Sequence, residues 1–237
     1  MTGLVIDRVS VARSGHTVVR EVSITAPLGE VTAILGPNGA GKSSLALGIA
    51  GLLRTTGGTV SIDGVEISHR RPDKVRAAGV SVVPEGRKLL PELSVADNLQ
   101  VSTYAMSKDE SAAGIEYAMS LFPELETRYR QLGSTLSGGQ QQMLVLAQGL
   151  VSRPKVLLVD ELSLGLAPIV IKRLVPTIES IAASGVGVLL IEQFAHVALG
   201  LATTAYVMES ARVRYSGTAQ ELTDNPELLH SAYLLRE

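Results

Sequence analysis

The stretch Gly36-Pro37-Asn38-Gly39-Ala40-Gly41-Lys42-Ser43 constrains this chain more than any other feature. It sets a glycine, four residues, a second glycine, a lysine and a serine in the order of a phosphate-binding loop. Val31–Leu35 before it is apolar and partly β-branched, as a buried strand is, and Ser44–Ala50 after it reads as a helix with an apolar face. Glycines let a backbone fold closely around a polyphosphate with its N–H groups pointing inward, and the helix N-terminus adds partial positive charge. Lys42 is placed to reach β- and γ-phosphates, and the Ser43 hydroxyl to ligate Mg²⁺. A glycine-rich turn with no ligand is the bland alternative, and the flanks weigh against it. Residues Gly36 to Ser44 are read as a nucleotide site.

The rest of the chain supplies a scaffold for such a loop. Residues 3–25 alternate apolar and polar positions, which predicts two antiparallel strands turning near Ser14-Gly15. Gly57–Ile62 predicts a strand ending in an Asp63-Gly64 turn, residues 72–78 a short helix stopped by Gly79, and Val80–Val83 another strand. From about 93 to 152 strand signals vanish and helix formers dominate. Strands return at Val156–Val159 and Val186–Ile191 with a helix over 168–183 between them. A hairpin over 205–215 and helices to Glu237 follow. Buried strands alternating with helices predict an α/β core with a mostly parallel sheet and an N-terminal antiparallel β portion. The division expected is a core of residues 1–92 and 153–237 with a helical subdomain at about 93–152, all within one domain.

Composition narrows the chemistry. A chain of 237 residues with 46% hydrophobic and 19% charged residues builds a sizeable core. A net charge of −2, few aromatics and no Trp offer neither a basic surface nor a base-stacking platform, so no nucleic-acid partner is expected. The absence of Cys excludes disulfides, thiolate metal sites and thiol catalysis. Charge arrives at Asp7 before any apolar run, so no signal peptide is expected, and no stretch reads as a membrane span. A cytoplasmic protein is expected, one that can still sit on a membrane partner.

Two further motifs acquire meaning beside the loop. Val156–Val159 ends in Asp160-Glu161: the first acid is placed to hold Mg²⁺ and the second to orient or deprotonate an attacking water. Leu136-Ser137-Gly138-Gly139-Gln140 sets two glycines before a helix read as starting at Gln141, a second backbone nest to which Ser137 adds a hydroxyl. One nucleotide loop with two phosphate-binding helix starts suggests that the second serves a nucleotide held by another subunit. An ordinary Ser N-cap with glycine spacers remains the alternative.

Leu-Ser-Gly-Gly-Gln ahead of the Asp160-Glu161 strand resembles the signature motif of ATP-binding cassette (ABC) ATPases, and the resemblance runs over nearly the whole chain. It implies a P-loop NTPase core with a helical signature subdomain, ATP and Mg²⁺ as ligands, and a head-to-tail dimer with itself or a second ABC ATPase. Two transmembrane permease subunits would be further partners, with an external solute-binding protein acting indirectly and the ATPases peripheral on the inner membrane face. By this resemblance Ser137, Gly138 and Gly139, with Gln140, contact the partner's nucleotide, and Lys42, Glu161 and Gln193 are catalytic. Ser43, Asp160 and Glu85 meet the metal, Glu85 standing where a glutamine is usual. Ser163–Leu166 looks like the loop that crosses the dimer interface. Gln193 occupies the position of a phosphate-sensing histidine; it donates a hydrogen bond but carries no proton charge. His196, three residues on, is read as a packing residue. Arg13 falls where an aromatic ring usually stacks on adenine, and either stacks its guanidinium there or is a solvated turn residue.

Val83-Pro84-Glu85-Gly86-Arg87, Glu192-Gln193, Ser163-Leu-Gly-Leu-Ala-Pro168 and Leu90-Pro-Glu-Leu-Ser-Val95 together resemble the shorter ATPase subunit of branched-chain (hydrophobic) amino acid importers, as does Ala232-Tyr233-Leu234. Urea and amide importers have similar ATPases that typically keep glutamine at position 85. A non-transport, nucleotide-gated cassette module is the alternative of a different class.

Overall fold

The computed structural model describes residues 3–229; the part of the expected C-terminal helices beyond residue 229 and the Ala232-Tyr233-Leu234 ending lie outside the described residues. The chain opens with β1 (Gly3–Arg13) and β2 (His16–Pro27), joined through Ser14 and Gly15 at φ +50° and +80°. Two consecutive positive φ values match the right-handed twist of the flanking strands. Next come β3 (Val31–Leu35), α1 (Lys42–Ile49), β4 (Thr55–Ile62), β5 (Val65–Glu66), α2 (Pro72–Ala77) and β6 (Val80–Val83). Helices α3 (Val95–Val101), α4 (Lys108–Leu121), α5 (Pro123–Glu126) and α6 (Gly138–Leu150) follow in succession, in the region where strand signals vanish from the sequence. The chain then alternates β7 (Val156–Asp160), α7 (Pro168–Ala183), β8 (Gly187–Glu192) and α8 (Ala195–Leu199), ending in β9 (Thr204–Glu209), β10 (Arg212–Thr218) and α9 (Ala219–Asp224).

Two sheets result. One is antiparallel in the order β2-β1-β4-β5; the other is six-stranded in the order β10-β9-β3-β8-β7-β6, parallel from β9 to β6. The expected C-terminal hairpin forms, and its first strand also extends the parallel sheet, with Thr32 of β3 opposite Thr204. The loop-bearing strand β3 thus lies between β8 and β9, buried along its whole length.

Strand periodicity divides the interior. Ile34, Val156, Leu158, Leu189 and Ile191 face α1 and the antiparallel sheet. Ala33, Leu35, Leu157, Val159, Val188 and Leu190 face the other way, toward α6 and α7. That second cluster continues into the helical region through Leu99, Phe122, Leu125 and Leu144. Each fully buried Leu or Ile stabilises by about 1.5–3 kcal/mol, so both helical layers are held firmly to the sheet. Since β3, β6, β7 and β8 are parallel, their carboxyl ends share one edge, where an open α/β sheet places its ligands.

Candidate functional site

The phosphate loop leaves β3 at Gly36 and enters α1 at Lys42. Gly36 has φ +146°, and a Cβ there would run into the Met208 carbonyl of β9. Gly41, the N-cap of α1, has φ +103° and lies against the Val18 carbonyl of β2. The loop is therefore wedged between the parallel sheet and the N-terminal hairpin, and both contacts need glycine. Lys42 is buried, and its Nζ donates to the carbonyls of Gly36 at 2.7 Å and Pro37 at 3.1 Å. Burial lowers its pKa, opposed by the charges of Glu161, Asp160, Glu192 and Glu85. Among the loop residues Ser44 and Ala40 are buried, whereas Asn38 and Gly39 are exposed.

Asp160 ends β7 beside Ile191 of β8 and is buried. Desolvation pushes its carboxyl up to about 6, with the Ser43 hydroxyl hydrogen bond opposing and Glu161 and Glu85 adding to the rise. Its Oδ1 is buried with no hydrogen-bond partner among the described residues. An orphaned carboxylate oxygen next to a serine hydroxyl is a hard oxygen donor set suited to a divalent cation such as Mg²⁺. Glu161 follows at φ +53°, its N–H bonded to the Ile191 carbonyl at 2.9 Å. Its pKa too is raised, by burial and then by Glu85, with Lys42 opposing. Lys42, Ser43, Asp160, Glu161 and the exposed Glu85 thus form one charge cluster at the sheet edge.

Gln193 follows β8, whose last residue Glu192 pairs with Leu35 immediately before the loop, so Gln193 and the phosphate loop emerge side by side. Arg13 is exposed at the end of β1, opposite His16. His196 is exposed on α8, which corrects its reading as a packing residue: the apolar face of that short helix is Val197 and Ala198, and His196 falls outside it.

One site residue carries no role in the sequence reading. Glu192 is 1% exposed, and its two oxygens accept from the Ser163 N–H at 2.9 Å and the Ser163 hydroxyl at 2.8 Å. Burial raises its pKa against those bonds. An acid that closes an otherwise apolar strand was the available signal.

The second nest differs from expectation. Helix α6 begins at Gly138, not Gln141, because Ser137 and Gln140 form a reciprocal cap: the Ser137 N–H donates to Gln140 Oε1 at 3.0 Å, and Ser137 Oγ accepts from the Gln140 N–H at 3.4 Å. Gly138 and Gly139 therefore make the first turn of the helix, with their N–H groups at its N-terminus. The neighbours of this turn are Arg87 at Gly138 and Val170 of α7 at Gly139, a different set from those of Lys42 and Ser43.

Comparison with known proteins agrees with this geometry. Residues 19–163 match the family described as "ABC transporter". The chain is 38% identical over 228 residues to the high-affinity branched-chain amino acid transport ATP-binding protein BraG of Pseudomonas aeruginosa, covering 96% of this chain and 97% of that one. It is 35% identical to the probable branched-chain amino acid transport ATP-binding protein LivF of Archaeoglobus fulgidus, over 82% and 83%. It is 31% identical to the lipopolysaccharide export system ATP-binding protein LptB of Escherichia coli, over 94% and 93%. In fold it matches a nucleotide-free ATP-binding cassette from an ABC transporter with a TM-score of 0.85 at 22% identity, over 97% and 98%.

Proposed function

This chain belongs to the ATP-binding cassette (ABC) transporter family, and from that premise we propose that it binds and hydrolyses Mg-ATP to drive uptake of branched-chain or other hydrophobic amino acids. The observation that carries the ATPase part is the buried Asp160–Ser43 pair, with its orphaned oxygen, beside Lys42 at the mouth of the phosphate loop. The substrate class rests on the likeness to BraG and LivF, since a subunit of this kind does not itself touch the cargo.

In this reading the loop amides and the Lys42 ammonium hold the β- and γ-phosphates, with Lys42 exchanging its two carbonyl partners for phosphate oxygens. Ser43 and Asp160, with Glu85 nearby, hold Mg²⁺, which supplies positive charge against the phosphate oxygens. Glu161, kept basic by burial and by Glu85, accepts the proton of the attacking water, and Gln193 donates a hydrogen bond to the γ-phosphate. Ser137, Gly138, Gly139 and Gln140 complete the site of a second ATPase, or of a second copy of this chain, in a head-to-tail dimer. Arg13 lines the adenine end. The two ATPases sit on the inner face of the membrane under two permease subunits that receive cargo from an external binding protein. Leu52, Val101 and Tyr104, exposed apolar residues, are candidates for the permease contact.

The test is Mg-ATP hydrolysis by the chain, alone and with its candidate partner ATPase, beside Glu161→Gln. Loss of turnover in the variant, with an ATP-bound dimer accumulating, is expected. ATP binding with no hydrolysis in any mixture sinks the ATPase reading and favours a nucleotide-gated interaction module. Uptake of labelled leucine or urea by vesicles carrying the whole transporter then decides the cargo; Glu85 in place of glutamine favours the amino acid. An exporter is the second reading, favoured by the LptB likeness over 94% of the chain, and cargo leaving the cytoplasmic side would establish it.

A further inference from the structure

Arg87 stands two residues beyond Glu85 in the loop that leaves β6, with its backbone at φ +48°. A non-glycine residue holds that conformation at a cost of about 1–2 kcal/mol, so its surroundings must fix it there. Two contacts do so. Nη2 donates to the Gly165 carbonyl at 3.0 Å and the Leu164 carbonyl at 3.3 Å, and Nη1 lies so close to Gly138 that a Cβ there would sit 2.8 Å away. One guanidinium therefore lies against both the loop that follows Glu161 and the first turn of α6. From the opposite side Glu192 grips Ser163 through two hydrogen bonds, so residues 163–165 are held between the end of β8 and the loop after β6.

We propose that Arg87 is a positioning residue of the composite nucleotide site. It fixes the spacing between the signature turn at 137–139 and the loop at 163–165, and ties both to the loop carrying Glu85. The proposal rests on the dimer reading above, in which those two segments face the partner subunit. Its chemical basis is the planar fork of arginine, which presents separate nitrogens to two segments at once; the single ammonium of a lysine cannot span them. A displacement of the Glu85 loop is then transmitted to both segments together.

Amide hydrogen exchange on the full chain tests this without requiring a dimer. Arg87→Ala is expected to speed exchange by about tenfold at Gln140, Gln141 and Leu166, whose N–H groups bond within the two segments, with single-chain ATP affinity unchanged. Arg87→Lys is expected to behave like the alanine variant, and hydrolysis with the partner ATPase to fall in kcat with little change in KM. Unchanged exchange, a change in only one of the two segments, or full rescue by lysine overturns the proposal. If the wild-type chain hydrolyses ATP while strictly monomeric, with neither a partner ATPase nor a second copy bound, the dimer reading fails on its own, while the exchange data still decide whether Arg87 couples the two segments.

Discussion

Glu192 and Ser163 lie 29 positions apart in sequence and are joined by two hydrogen bonds, the serine N–H and hydroxyl each meeting one carboxylate oxygen. The pair ties the strand end that precedes Gln193 to the loop that follows Glu161. Because burial holds the Glu192 carboxyl above its ordinary value, the folded chain takes up that proton more readily than the unfolded chain. Its contribution to stability is therefore fully present at low pH and is lost as pH rises through the folded pKa. Glu192→Gln retains both bonds, its oxygen accepting from the N–H and its amide donating to the hydroxyl, but does not titrate. The difference in Tm, wild type minus variant, is expected to fall as pH rises from 5 to 8 in the presence of a chelator. A difference independent of pH refutes this account of Glu192.

That pair also marks where the sequence stops being legible. The phosphate loop, both Gly-containing hairpin turns and the alternation of strand and helix are local patterns, and local patterns can be read along a chain. The start of α6 was legible too, in Ser137-x-x-Gln140, a spacing that sets the N-cap at Ser137 and both glycines inside the first turn. Glu192–Ser163 and Arg87–Gly165 are long-range bonds set by which strands become neighbours, and nothing in the residues around either partner announces the other. His196 was misplaced for a similar reason, since its exposure depends on how α8 is rotated against the sheet.

Gly36→Ala is expected to destabilise the chain by about 2 kcal/mol or more, because the new methyl meets the Met208 carbonyl in a conformation that side chains rarely adopt. For a chain of this size that lowers Tm by roughly 4–8 °C. Gly57→Ala is the control: a Cβ there meets nothing within 4 Å, and thermal unfolding should leave it within about 2 °C of wild type. Equal losses at the two positions would contradict the packing of the loop against β9.

Lys42→Ala removes the ammonium from a cluster of four carboxylates, together with its hydrogen bonds to the Gly36 and Pro37 carbonyls. Loss of charge-assisted hydrogen bonds to phosphate, about 1.5–3 kcal/mol, predicts ATP affinity down by roughly ten- to a hundredfold. Titration with a fluorescent ATP analogue measures it. Full affinity in the variant would exclude Lys42 from the phosphate site.

Asp160 gives a pH dependence that separates metal binding from nucleotide binding. Its carboxyl is pushed up to about 6, chiefly by desolvation, so below that pH it is increasingly protonated in the metal-free chain. A proton and Mg²⁺ compete for the same carboxylate, and metal binding must release the proton. The Mg²⁺ concentration needed for half-maximal Mg-ATP binding is therefore expected to rise as pH falls from 7 to 5, by about tenfold for each unit below 6. ATP binding measured with chelator over the same range supplies the baseline, since it carries the titration of the nucleotide's own phosphate without the metal. Asp160→Asn should show a weak Mg²⁺ requirement that lacks this added steepening below pH 6. If wild type and Asp160→Asn share one pH profile, Asp160 does not hold the metal, and its orphaned Oδ1 then belongs to a purely structural acid.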